Sequence, residues 1–171
     1  MANENQLKYD NYKEQFKRLD KAIKSCFYLE AMFIAYAIME DRSDSILSYE
    51  GNEIHSKSYT SIDRKLKKIK KISEQKNSLP ARYFKASLID DILDWKEKRN
   101  HYMHALMKGV LTTEELYDMA AEGRMLAREL ANKATNYRRA VERKHAKEDQ
   151  DFVNQYKKGT AREAWVKSIK R

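Results

Sequence analysis

Residues 25–39, SCFYLEAMFIAYAIM, form a strongly apolar stretch whose only charged residue is Glu30. A stretch of 15 residues is too short to cross a bilayer as a helix, because a membrane span needs about 20 apolar residues. We therefore predict that this stretch is the central core helix of a helical domain. No other apolar run in the chain approaches that length, so we expect no membrane span.

Amphipathic helices are predicted on both sides of this core segment. Upstream, apolar residues recur at helical spacing at Tyr12, Phe16, Leu19, Ile23 and Phe27. Downstream, a polar stretch ends near Gly51 in a predicted loop, and a third helix starts near Thr60. Its apolar face consists of Ile62, Leu66, Ile69 and Ile72.

The second half of the chain predicts two more helices. Pro80 suits the first turn of a fourth helix that runs to Gly109, because a missing N–H costs nothing there. Thr112 and Glu115 form a capping box for a long fifth helix that ends near Lys147. Four glycines and one proline supply too few turn signals for a sandwich or barrel.

The predicted fold class is therefore all-α, a bundle of about five helices with a long C-terminal helix and a basic tail. We place the helical domain at residues 1–149. Residues 150–171 are expected to be a basic tail or a docked helix. The start of the chain lacks an apolar signal region, so we expect a cytoplasmic protein.

The formal net charge of +9 is concentrated in two segments. Residues 60–76 carry seven basic and two acidic side chains, and residues 133–171 carry twelve basic and five acidic ones. Such clusters are often solvated helix surface, but two of them on a small domain favour a nucleic-acid contact. The candidate contacts are Lys67, Lys68, Lys70, Lys71, Arg138, Arg139, Arg143 and Lys144.

Along one face of the fourth predicted helix, the residues change from apolar to charged. Its core-facing residues are Phe84, Leu88, Ile92 and Trp95, and the next position on that face is Arg99. Because arginine is rarely buried without a partner, Arg99 either reaches solvent at the end of the bundle or lines a cleft that binds an anion. Asn100 and His104 share a broad face with Arg99, whereas His101 lies on the opposite side.

The segment RNHYMH at residues 99–104 resembles the R-x(4–6)-H motif of HEPN domains, in which Asn, Asp or His commonly follows the arginine. The resemblance covers about residues 10–135. HEPN domains are also all-helical and of about this size, and they carry the motif near the end of a late core helix. HEPN toxins that pair with a nucleotidyltransferase antitoxin often carry a tyrosine two residues after the histidine. This sequence has Leu106 there.

The resemblance implies a metal-independent endoribonuclease, a toxin or phage-defence effector, whose two motifs meet in a homodimer. His104 would transfer protons and Arg99 would hold the phosphorane oxygens, with Asn100 orienting the ring or contacting phosphate. Glu30 is a candidate partner for Arg99, although it equally suits a position in solvent. The expected partners are RNA, a second copy of the chain, and an antitoxin or regulatory protein. No cofactor is expected.

Two other functions remain open. The same arginine suits a non-catalytic HEPN-like module that binds RNA or a nucleotide. The helical class also suits a protein-interaction adaptor whose basic tail contacts nucleic acid or an acidic protein.

Metal binding and disulfide chemistry are not expected. Asp94, Glu97, His101 and His104 recur at helical spacing, but the helix between the first and last spans about 15 Å, too far for one ion. Cys26 is the only cysteine and is expected to pack as a small core residue.

Overall fold

The computed structural model describes the backbone of residues 4–49 and 61–169, and the side chains of residues 6–49 and 61–154. Within these ranges it contains helices and no strand. The helices are α1 (Glu4–Lys24), α2 (Tyr28–Tyr49), α3 (Ile62–Ser73), α4 (Leu79–Tyr83), α5 (Ala86–Leu106) and α6 (Thr113–Ile169). The predicted all-α class and the long C-terminal helix are confirmed. The predicted end of that helix near Lys147 is wrong, because α6 continues to Ile169. The predicted loop near Gly51 lies outside the described residues.

The chain divides into two compact units, Met1–Tyr137 and Arg138–Arg171. Most of the buried apolar side chains belong to the first unit and lie on α1, α2, α3, α5 and the first part of α6. None of the helices in the described ranges is both long and apolar enough to cross a membrane.

The predicted fourth helix is in fact two helices. Ser78 caps α4 by accepting a hydrogen bond from the Ala81 N–H at 3.2 Å. Phe84 and Lys85 then adopt extended backbone angles before α5 begins. The break follows from packing, because Phe84 leaves the helical stripe and is buried edge-to-face against Tyr137, with the ring centroids 5.3 Å apart.

A tight turn joins α1 to α2. The Phe27 N–H donates to the Ala22 carbonyl at 2.8 Å, and the Cys26 N–H donates to the Ile23 carbonyl at 3.1 Å. This pair of bonds is the Schellman pattern, whose left-handed position is usually glycine or asparagine. Here Cys26 holds it, with a φ of 61°. The expectation that Cys26 packs in the core is wrong, because the turn leaves its side chain exposed.

The capping box at the start of α6 is confirmed. The Thr112 N–H and hydroxyl both donate to the Glu115 carboxylate at 2.8 Å, and the Glu115 N–H donates to the Thr112 hydroxyl at 3.2 Å. These hydrogen bonds stabilise the carboxylate, so they lower the pKa of Glu115 below its usual value.

Aromatic pairs fix the direction of α2 against α6. Tyr28 meets Tyr117 near the start of both helices, and Tyr49 meets Tyr137 about 20 residues further along each. These two helices therefore run parallel. From α1, Asp20 accepts hydrogen bonds from Arg124 and Arg128 of α6.

Trp95 sets the contact between α5 and α6. Its indole is fully buried, and Nε1–H donates to the Met119 carbonyl at 2.9 Å. Gly123 lies directly beneath the ring. A Cβ added at Gly123 would lie 2.4 Å from Cζ2 of Trp95, so the close approach of the two helices requires a glycine.

We predict that Gly123→Ala destabilises the protein. Alanine ordinarily favours a helix over glycine by about 1 kcal/mol, but overpacking against a buried ring costs about 1–3 kcal/mol. Because the indole has no space to retreat, we expect the steric cost to exceed the gain in helix propensity. The free energy of unfolding from urea titrations, followed by circular dichroism, checks this.

Gly109→Ala serves as the control. Its added Cβ would meet nothing within 4 Å, and only its φ of 66° opposes the change. We expect Gly109→Ala to lose about 1 kcal/mol through backbone strain alone. A Gly123→Ala variant as stable as the wild type would contradict the packing described for Trp95.

Candidate functional site

Arg99 lies one turn beyond Trp95 on α5 and is half-buried. Its guanidinium carbon sits 4.8 Å from the ring centroid of Tyr36 on α2, a cation–π contact. Nη1 donates to Oδ1 of the adjacent Asn100 at 3.4 Å. Nε is buried and makes no hydrogen bond within the described ranges. No carboxylate among the described residues forms an ion pair with this guanidinium.

His104 occupies the last turn of α5, and its imidazole is exposed. It lies about half a helical rotation away from the core-facing direction of Trp95. The rise between Arg99 and His104 is about 7.5 Å along the axis. The expectation that His104 shares a face with Arg99 is wrong, because within one chain the guanidinium lies against α2 whereas the imidazole faces solvent. Asn100 stays with the guanidinium, and His101 is exposed.

Glu30 is placed beside Arg18 and not beside Arg99. Its carboxylate lies 3.5 Å from the Arg18 guanidinium, and both side chains are exposed. Tyr36 lies six positions after Glu30, which places the two about 120° apart around α2. Tyr36 is therefore the α2 residue that holds Arg99, and the sequence pattern did not single it out.

The lysines of α3 do not all share one environment. Lys67, Lys68 and Lys71 are exposed, without an ion pair in the described part of the chain. Lys70 instead lies 2.7 Å from the Asp90 carboxylate of α5. The hydrogen bond to Asp90 raises the pKa of Lys70.

Lys65 is a buried lysine that the sequence pattern did not identify. Its side chain is only 7% exposed, and its ammonium lies 2.8 Å from Asp44 and 3.2 Å from Glu40 on α2. Burial alone lowers the pKa of Lys65, but the hydrogen bonds and charges of the two carboxylates outweigh it and raise the pKa. Lys65 therefore fastens α3 to α2 and is not available to a ligand.

The C-terminal basic cluster consists of Arg138, Arg139, Arg143 and Lys144, in the unit that begins at Arg138. Its side chains interact with neighbours on the same helix. Arg138 lies 3.4 Å from Glu142, and Lys144 lies 3.8 Å from Glu148. Arg143 donates to the Arg139 carbonyl at 3.1 Å. The two carboxylates offset part of the positive charge of this cluster.

One end of the first unit exposes several large apolar side chains. The Tyr28–Tyr117 contact brings the α1–α2 turn beside the start of α6, and a short connection links the end of α5 to that same point. We call the exposed residues there the apolar end: Phe27, Met107, Val110 and Tyr117. Met107, only three residues after His104, is 87% exposed. Clustered exposed apolar residues of this kind typically mark an interaction surface.

The described ranges contain no group of three or more His, Cys, Asp or Glu side chains placed to hold a metal ion. No protein-family model matches the sequence, and neither a curated protein nor a solved structure is significantly similar to it. The resemblance to HEPN domains therefore rests on residues 99–104 and on the helical architecture.

Proposed function

We propose that the protein is a metal-independent endoribonuclease of HEPN type, a toxin or phage-defence effector, whose site forms between two copies of the chain. The observation that carries this proposal is the environment of the Arg99 side chain. Its guanidinium is half-buried on Tyr36 and lacks a carboxylate partner in the described part of the chain.

Arg99 is suited to hold a phosphate group. A guanidinium offers two parallel N–H donors that match a pair of phosphate oxygens. Tyr36 holds this group in place without neutralising its charge. The charge therefore stays available for the oxygens of a pentavalent phosphorane, which gather negative charge during RNA cleavage.

His104 is suited to proton transfer because its imidazole is exposed. RNA supplies its own nucleophile, the 2′-OH next to the scissile phosphate. A neutral imidazole takes the proton from that hydroxyl, and a protonated imidazole gives one to the leaving 5′-oxygen. These steps use two acid–base groups, and each chain supplies one His104.

A homodimer would supply the second group. Arg99 and His104 leave α5 on different sides, so one chain does not bring them together by itself. The apolar end lies at the same end of α5 as His104 and offers a surface for self-association. In a twofold dimer, the same patch on both copies forms the interface, so a motif that borders this patch would face its symmetry mate.

A second candidate is a non-catalytic module that binds RNA or a nucleotide through Arg99. One observation favours it: His104 makes no hydrogen bond within the described part of the chain, so no neighbouring group orients its ring. The apolar end would then suit a different protein, such as an antitoxin or a regulatory partner.

We predict that the purified protein cleaves RNA in the presence of EDTA. Arg99→Ala and His104→Ala should each lower the cleavage rate by about 10²–10³, because each removes a group that acts in the transition state. His101→Ala is the matched control, since it removes an exposed imidazole from the same helix end. Its cleavage rate should stay near that of the wild type. Gel assays with labelled RNA measure all three.

Circular dichroism melts should show that His104→Ala and His101→Ala fold alike. The motif assignment is wrong if His101→Ala is inactive while His104→Ala cleaves normally. Loss of cleavage in EDTA would contradict the metal-independent mechanism. RNA binding without cleavage by the wild type would favour the binding module.

We predict that the exposed α3 lysines hold the RNA backbone. Changing Lys67, Lys68 and Lys71 together to glutamine should weaken RNA binding and reduce its salt dependence, because fewer counterions are released. Filter binding at two salt concentrations measures both effects. Lys70→Gln is the control, and it should change the affinity less because Asp90 already engages Lys70. Unchanged affinity in the triple variant would show that these lysines are only solvated surface.

A further inference from the structure

A groove of about 380 Å³ lies between α1 and α2. Its volume falls within the range of small-molecule sites, about 300–1,000 Å³. The floor comes from α2, whose apolar residues Phe33, Ile34, Ala37 and Ile38 line it together with the carboxylates of Glu30 and Asp41. The wall comes from α1 and is polar, with Lys8, Asn11, Tyr12, Gln15 and Arg18. Arg99 and His104 do not line it.

Phe33 is the unusual residue of the floor. It belongs to the central apolar helix, yet its side chain is 64% exposed within the groove. An aromatic ring that is fixed on a helix and open to solvent on one face is a platform for stacking a planar group.

The wall opposite Phe33 carries polar groups that are not used elsewhere. Asn11 and Gln15 are four residues apart, so their amides project from the same side of α1 on successive turns. Neither amide makes a hydrogen bond within the described part of the chain. An amide offers a donor and an acceptor together, which is the pattern that reads the edge of a nucleobase.

Two cations, Lys8 and Arg18, and two carboxylates, Glu30 and Asp41, are among the residues that line the groove. Arg18 pairs with Glu30 at 3.5 Å, and Asp41 accepts a hydrogen bond from the Tyr12 hydroxyl. Lys8 has no ion pair among the described residues, and it lies one turn before Asn11 on α1. Because no carboxylate among the described residues pairs with this ammonium, we expect Lys8 to be the groove cation that meets an anionic group of a ligand.

We propose that the α1–α2 groove binds a nucleotide, with the base stacked on Phe33, its edge hydrogen-bonded by Asn11 and Gln15, and its phosphate near Lys8. This ligand combines a planar apolar face, a polar edge and an anionic group, as the groove requires. The apolar face of a partner helix fits less well. It would bury both amides without hydrogen-bond partners, which is unfavourable.

The nucleotide has two sources with the same chemistry: a free mononucleotide, or one unpaired residue of a single-stranded RNA. The second source rests on the proposed function, since it makes the groove a subsite for the RNA substrate. Binding in the groove can be tested independently of RNA cleavage, because none of the groove residues belongs to the Arg99–His104 motif.

The test measures binding of a fluorescent 2′-O-methyl RNA pentanucleotide by anisotropy, and binding of AMP, GMP, CMP and UMP by calorimetry. The 2′-O-methyl group removes the nucleophile, so cleavage does not disturb the measurement. Phe33→Ala and the Asn11→Ala/Gln15→Ala double variant should each weaken binding tenfold or more. Mononucleotide binding that displaces the pentanucleotide identifies the free nucleotide as sufficient. Binding of the pentanucleotide alone identifies an RNA residue.

Phe152→Ala and Asn136→Ala are the matched controls, because they remove an equally exposed ring and an exposed amide from α6. Phe152 is 71% exposed. The controls should bind as the wild type does, and melting curves should show that all variants fold. The proposal is overturned if neither probe binds, or if Phe33→Ala binds both probes normally. It is also overturned if Phe33→Ala only turns a dimer into a monomer, because a second copy would then occupy the groove. Loss of RNA cleavage with intact groove binding would reject the proposed function and keep this site.

Discussion

The burial of Trp95 against the backbone of α6 is the constraint on which the arrangement of this bundle depends. The indole donates to the Met119 carbonyl and rests where Gly123 has no side chain. This contact fixes both the distance and the rotation of α5 against α6. One turn later on α5, Arg99 contacts the ring of Tyr36. The position of the candidate site is therefore a consequence of how α5 and α6 pack.

Arg99 differs from the basic side chains that join helices of the first unit through ion pairs. Lys65, Lys70 and Lys96 each meet a carboxylate of a neighbouring helix, and Arg124 shares Asp20 with Arg128. These pairs fasten the helices to one another. Arg99 instead rests on the ring of Tyr36 and forms no ion pair with a described residue. The proposal rests on Arg99 because a half-buried guanidinium without an ion pair among the described residues is suited to bind an anionic group.

Local signals made much of the fold predictable. The capping box of Thr112 and the apolar face of α3 depend on residues close in sequence, and both are present in the structure. The break between α4 and α5 depends on the contact of Phe84 with Tyr137, which is more than 50 residues away in sequence. No pattern of neighbouring residues therefore predicts it. For the site, the motif located Arg99 and His104 on one helix. Their different surroundings come from α2, which the pattern of one helix does not contain.

The most direct test of the central claim is the chemistry of the RNA ends after cleavage. If the 2′-OH attacks the phosphate with the help of His104, the upstream fragment ends in a 2′,3′-cyclic phosphate and the downstream fragment begins with a 5′-OH. Mass spectrometry of the fragments from a short defined RNA resolves these ends. We predict those ends in the wild type, and no cleavage of the same RNA when it carries 2′-O-methyl groups. Fragments with a 3′-OH and a 5′-phosphate would mean that water is the nucleophile and would contradict the account.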